Sequence, residues 1–350
     1  MSGLPGRRTA VVLFNLGGPD GPAAVEPFLL NLFSDPAILR VPGFVRPLLA
    51  RLLARRRAPV AARLYAKLGG GSPLLANTEA QARALEAALA DLGERRCFVA
   101  MRYWHPFARE TAAAVKAYAP DRIILLPLYP QFSTTTTASS LADWRRSAAA
   151  LGLVVPTRAI CCYPTEPGFV AALAGATGEA LARARGAGRP SLLFSAHGLP
   201  KKIVARGDPY AEQVGETVRA VAARLGLGVE DYEVCFQSRV GPVEWIGPHT
   251  DEEIVRAAEQ RRPIVVVPVA FVSEHSETLV ELDIEYRELA RAKGAPAYHR
   301  VPTVATAPAF IAGLAGLVRQ ALAGDRTVQS DRGGRRCAAG RACCQEEIAA

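Results

Sequence analysis

Eight short apolar runs punctuate this chain, and the stretches between them are long enough for helices. The runs are TAVVLFNLGG (9–18), RCFVAMRYWHP (96–106), RIILLPLYPQFS (122–133), LVVPTRAICCY (153–163), SLLFSAHGLP (191–200), YEVCFQSRVGP (232–242), PIVVVPVAF (263–271) and PAYHRVPTV (296–304). Apolar runs without strict alternation are the mark of strands buried on both faces, as in parallel sheets. Stretches such as 74–92, 167–185 and 307–323 read as helices. This β–α alternation predicts parallel sheets with helices on both faces. The pattern restarts at Ser191. The expected fold is therefore α/β, with two similar doubly wound, Rossmann-like domains and a cleft between them. The expected boundaries are 8–165, 166–325 and a cysteine-containing tail over 326–350.

The run PIVVVPVAF leads straight into FVSEHSETLVELDIEYR, which carries Glu274, His275, Glu277, Glu281, Asp283 and Glu285. Glu277, Glu281 and Glu285 recur every four residues, so a helix brings them to one face, and a π-helix sets them nearly in a row. Like charges at this spacing destabilise a helix by a few tenths of a kcal/mol per pair. Such a row at the carboxyl end of a buried strand points to a cation path or a proton relay. His197, in the turn Ser-Ala-His-Gly, ends another strand of the same half. Carboxyl ends of parallel strands open on one edge, so His197, His275 and Glu277 can converge. A histidine with carboxylates and no closed set of four ligands suits a metal that must leave again, or proton removal near neutral pH.

At 350 residues the chain can bury a large core, and no apolar run approaches the roughly 20 residues of a membrane span. The short apolar run near the N-terminus leads into a strand, so no signal peptide is expected. The Gly-Gly-Pro-Asp turn after the first strand is not a dinucleotide fingerprint, and no phosphate-loop motif occurs. A net charge of +9, with arginines clustered at 51–57, suits an anionic membrane surface or an acidic ligand. Aromatic residues do not interleave with the basic ones, which ranks nucleic acid last. Residues 22–67 mix Leu, Phe and Pro too densely for one amphipathic face, and Pro36, Pro42 and Pro47 are expected to keep its helices short. The segment is expected to be either a packed helical insertion or an apolar lip over a pocket that also touches a membrane surface.

Seven stretches in order are similar to one family: FNLGGPD, YAKLGGGSP, MRYWHP, LPLYPQFSTTTT, SAHGLPKKIVARGDPY, CFQSRVGPVEWIGPHTDE and FVSEHSETLVELDIEY. Together they resemble the ferrochelatases, which insert ferrous iron into a porphyrin in the last step of haem synthesis. The resemblance implies a lyase that takes Fe2+ and protoporphyrin IX to protohaem and two protons. A coproporphyrin user, another porphyrin chelatase or a non-catalytic haem or metal chaperone are the alternatives. It implies that His197 and Glu277 are catalytic, and that His197, Glu277, Glu281, Glu285 and His275 form the iron or proton path. It further implies porphyrin contacts at Leu16, Arg56 or Arg57, Tyr65, Ser72, Arg102, Tyr103 and Tyr210. It places the apolar lip, and with it the membrane contact, at residues 28–50. A cytoplasmic protein, peripheral on the inner face of a membrane, is expected, and a homodimer is left open.

Cys337, Cys343 and Cys344 lie within eight residues near the end of the chain. Clustered cysteines outside a secreted scaffold point to a metal, and a fourth thiolate must then come from the body of the protein. Cys161 and Cys162 are the candidates, and simple strand alternation would let only one of them reach. Some members of the resembled family carry a [2Fe-2S] cluster near the C-terminus, and the resemblance favours that over zinc. The internal ligand of the animal enzymes falls in QFSTTTT, where this chain has threonines.

Overall fold

The computed structural model describes residues 7–239, 241, 243–338 and 341. Its strands are β1 (Thr9–Asn15), β2 (Arg95–Met101), β3 (Arg122–Pro127), β4 (Thr157–Cys162), β5 (Ser191–His197), β6 (Tyr232–Gln237), β7 (Ile264–Pro268), β8 (Tyr298–Arg300) and β9 (Val328–Ser330). They form two sheets, ordered β2-β1-β3-β4-β9 and β6-β5-β7-β8. Every pairing is parallel. In both sheets the order of the first four strands is the same, so the restart seen in the sequence is a restart of topology. β1 is buried along its whole length and so is β7, as strands covered on both faces must be.

One compact unit contains the chain up to Cys162 and takes it back at Leu314–Cys337; the other contains Tyr163–Gly313. The boundary expected near 325 therefore moves. Arg319, late in the helix Pro308–Ala323, donates to Asp91 at 2.6 Å and to the Ala88 carbonyl at 2.7 Å. β9 then pairs with β4 as an added parallel strand, so the segment after 326 begins as part of the first sheet.

Residues 22–67 also differ from expectation. Helix Val25–Ser34 ends just before Asp35-Pro36, as a proline requires. Pro47 does not break a helix; it sits in the first turn of Arg46–Ala66, where its missing N–H costs nothing. That helix runs on through Pro59. Phe28 and Leu29, expected in the lip, are core: they are buried with Val25, Ala54, Tyr65 and Tyr103. The large apolar residues left exposed here are Phe44 (87%), Leu48 (73%), Leu52 (61%) and Val60 (48%). Phe44, in the turn before the helix, and Leu48 and Leu52 within it are spaced by four residues and form one stripe, and Arg51 and Arg55 are exposed beside it. Of residues 28–50, where the lip is expected, Phe28 and Leu29 are thus covered while Phe44 and Leu48 lie exposed.

Candidate active site

Within the second unit, β5 delivers His197 and the segment after β7 delivers His275 and Glu277. His197 Nδ1 lies 2.6 Å from the Gly198 carbonyl. A carbonyl only accepts, so Nδ1 carries the proton and Nε2 is the ring's accepting nitrogen. That nitrogen is 3.6 Å from Glu277 Oε1, and His275 Nε2 is 3.5 Å from Glu277 Oε2. The Glu277 carboxylate therefore stands between two imidazoles. Burial opposes its charge, but when the rings are protonated the charge of His197, and then the hydrogen bond and charge of His275, outweigh burial and hold the carboxyl down to about 2. Tyr210, at the start of the helix Tyr210–Leu225, is buried close by. Burial, followed by the Glu277 charge, pushes its phenol well above the ordinary value.

Glu277–Glu285 is a π-helix, one of the two windings that the four-residue acidic spacing allows. Glu281 accepts from Ser238 N at 3.0 Å, Ser238 Oγ at 2.5 Å, Gln237 Nε2 at 3.1 Å and Tyr286 OH at 3.0 Å. Burial first, and the Glu277 charge second, nevertheless raise its carboxyl pKa. Two neighbouring carboxyls are thus driven apart, Glu277 toward the anion and Glu281 toward the acid, which is how one site holds both a base and a proton store. Gln237 is fixed in turn by Ser195 Oγ, 2.8 Å from its Oε1. Ser238 adopts a φ of 67°, in the left-handed region that a serine rarely visits. Glu285 ends the π-helix, half-buried.

Three residues that sequence reasoning missed belong here. Gln237 and Ser238 hold Glu281, and Trp245 meets the His197 ring edge-on at 6.2 Å between centroids. Only the glycine of the Ser-Ala-His-Gly turn hinted at the tryptophan: a Cβ at Gly198 would lie 3.2 Å from the Trp245 ring.

The first unit places its singled-out residues in two groups. Leu16, Tyr65 and Tyr103 share one apolar cluster. Gly18 packs so tightly on Ser72 that a Cβ there would come within 2.5 Å of it, which explains the glycine turn. Arg102 and Tyr103, expected on a porphyrin face, both converge on Asp35. Arg102 Nη2 donates at 2.7 Å and Tyr103 OH at 2.8 Å to Asp35 Oδ2, which also accepts from Ser139 Oγ. Burial opposes ionisation of Asp35, but Ser139, the Ala37 N–H, Arg102 and Tyr103 together hold its pKa below the usual carboxylate range. A cavity of about 430 Å³ opens beside Arg102, with Asp143, Arg109 and Arg146 on its wall. Arg56 and Arg57 lie on the helix Arg46–Ala66, Arg56 exposed and Arg57 half-buried.

Cys161 and Cys162 depart from strand alternation. The ladder between β4 and β9 shifts register at Ile160/Cys162, and such an irregularity re-aims side chains. Their sulfurs lie 3.6 Å apart, both thiols are buried, and Cys337 packs against the same core cluster. Two sulfurs about 2.3 Å from one tetrahedral metal would be separated by roughly 3.8 Å, so the pair fits that geometry. Cys343 and Cys344 lie outside the described residues. Among the described residues no group of three or more His, Cys, Asp and Glu side chains is arranged to hold a metal ion.

Two all-parallel α/β units define a chelatase-type fold. The chain matches the solved structure of the sirohydrochlorin chelatase SirB from Bacillus subtilis subspecies spizizenii in complex with cobalt, with a TM-score of 0.50 and 11% identity, covering 90% of this chain and 95% of that one. The Ferrochelatase family model matches residues 8–322. Among the similar curated proteins is the ferrochelatase of Caulobacter vibrioides (strain NA1000 / CB15N), 53% identical over 336 residues and covering 95% of this chain and 96% of that protein. The ferrochelatase of Hyphomonas neptunium is 51% identical over 346 residues, covering 97% and 95%. The chain belongs to the ferrochelatase family.

Proposed function

We propose that this chain inserts ferrous iron into protoporphyrin IX, giving protohaem and two protons. The observation that carries this reading is the carboxylate of Glu277, ionised between His197 and His275 at the carboxyl end of a parallel sheet. A porphyrin holds its two central protons on pyrrole nitrogens, and each must leave as iron arrives. His197 Nε2 is the accepting nitrogen and takes such a proton; Glu277 stabilises the imidazolium that results. Glu281, held toward its acid form, gives its own proton on toward Glu285 and then takes the one that the pair hands on. Ferrous iron, a substrate here, is passed by His275 and Glu277. Leu16, Tyr65, Ser72 and Tyr210 offer apolar and hydroxyl contacts to the macrocycle, Arg56 or Arg57 offers charge to its propionates, and Arg102 and Tyr103, held together by Asp35, back its far face. Mixing the protein with Fe2+ and porphyrin without oxygen and following the absorption spectrum tests this. Metalloporphyrin is expected from protoporphyrin; a coproporphyrin preference would change the substrate, and no product from any porphyrin would remove the enzyme reading.

The stripe Phe44, Leu48 and Leu52, flanked by arginines, supports a second part of the proposal: peripheral contact with an anionic membrane on the cytoplasmic side. No helix among the described residues is long and apolar enough to cross a membrane. Each large apolar side chain buried contributes about 1.5–3 kcal/mol. Phe44→Ser with Leu48→Ser should therefore cut sedimentation with vesicles containing anionic lipid by tenfold or more (~10-fold per 1.4 kcal/mol). Unchanged sedimentation would contradict it.

The cysteines support a third part. Cys337, Cys343 and Cys344, with Cys161 or Cys162, would hold a [2Fe-2S] cluster tying the end of the chain to β4. Protein purified without oxygen should be red-brown, and Cys344→Ser should bleach it. Colourless protein carrying no iron would exclude the cluster.

A further inference from the structure

Glu274 and Asp283 flank and interrupt the acidic row, and both turn to one residue, Arg300 on β8. Its Nη1 donates to Glu274 Oε1 at 2.7 Å and its Nη2 to Asp283 Oδ2 at 2.6 Å. The Arg300 side chain is only 10% exposed. Thr303 N also donates to Glu274 Oε1, at 3.0 Å, and Arg287 Nη2 to Asp283 Oδ1, at 3.0 Å. Two residues earlier on the same strand, and so on the same face, Tyr298 OH donates to the Leu282 carbonyl at 2.7 Å. β8 thus grips the segment just before the π-helix and the π-helix itself.

A π-helix is rare, and short ones concentrate at functional sites. The segment ETLVELDIE contains leucine and glutamate, good formers of an ordinary α-helix. Rewound as an α-helix it would keep Glu281 on the same broad face as Glu277 but rotate it about the axis, off its present partners Gln237 and Ser238. Something outside the segment has to hold the wider winding. A guanidinium is a rigid planar fork that can engage two carboxylates at once, whereas an ammonium is a point charge on a flexible stem.

We infer that Arg300 is a positioning residue for metal insertion: by tying Glu274 and Asp283 to β8, it holds the π-helical winding that keeps Glu277 against His197. This rests on the function proposed above. The test uses the full chain with Arg300→Lys, which keeps the charge and loses the fork. Displacements of about 1 Å at a reacting group cost on the order of 10²-fold, so kcat should fall by about that factor. KM for porphyrin should stay within about twofold, the pattern expected when only the reaction step is impaired. Amide hydrogen exchange over 277–285 should accelerate while that of β5 stays unchanged. Asp283→Asn, which releases one arm of the clamp, should give the same split with a smaller loss, and it decides the matter if Arg300→Lys does not fold. Wild-type kcat in both variants would overturn the inference, as would a fall in kcat matched by an equal rise in porphyrin KM. Absence of metal insertion by the wild-type chain would instead overturn the function on which the inference rests.

Discussion

His197→Ala is expected to lower kcat for metal insertion by about 10³-fold, within the range that a positioned proton acceptor contributes. The Gly198 carbonyl fixes the proton on Nδ1, leaving Nε2 as the accepting nitrogen, 3.6 Å from Glu277 Oε1. Removing the ring removes the acceptor. It also removes the imidazolium charge that forms when His197 takes a proton, the largest influence holding Glu277 ionised, so burial, which opposes that charge, gains ground and the Glu277 pKa rises. Two groups are then impaired by one substitution. The porphyrin should still bind, because the loss falls on the reaction step; a porphyrin titration followed by absorption separates the two. If binding is lost and kcat at saturation is retained, His197 is a binding residue only.

Asp35→Ala is expected to destabilise the first unit by about 3–5 kcal/mol, the usual result of leaving a buried charge without its partner. Asp35 is 5% exposed and is the one carboxylate between Glu26 and Glu79. It gathers Arg102, Tyr103, Ser139 and the Ala37 N–H. Without it, the Arg102 guanidinium keeps Ser139, the Tyr103 ring 4.9 Å away and a longer ion pair of 3.6 Å to Asp143. The pH dependence follows from the lowered pKa of Asp35. A depressed carboxyl stabilises the fold fully above its unfolded value, about 3.9, and this contribution is lost as pH falls through the lower folded value. Denaturant melts of wild type and Asp35→Ala should therefore differ most near neutral pH and converge in strong acid. A difference that persists unchanged at low pH would show that packing, not charge, is what the substitution removes.

Much of the fold was legible because buried parallel strands are written as apolar runs, and eight of these appear. β9 was not, because VQS is too short and polar to stand out; only its pairing with β4 reveals the return of the chain to the first sheet. The histidine and glutamate jaws were legible too, since each sits at the end of an apolar run. Their supports were not. Gln237 and Ser238 read as the tail of a strand until Glu281 arrives from more than 40 residues away. Asp35 left a signal in principle, as a lone carboxylate in an apolar stretch that must find a partner. The lip shows the opposite failure. A density of Leu and Phe says that a segment is apolar but not which side chains are covered, so Phe28 and Leu29 went inside while Phe44, Leu48 and Leu52 stayed out.

Glu277 carries the central claim, because its carboxylate joins both histidines. The decisive measurement is a single-turnover absorption experiment in which porphyrin-loaded wild type and Glu277→Gln are each mixed with Fe2+ without oxygen. The wild-type spectrum should convert to that of haem, while the variant should keep the bound free-base porphyrin spectrum, slowed by about 10²–10⁴-fold. Conversion by Glu277→Gln at the wild-type rate would contradict the account.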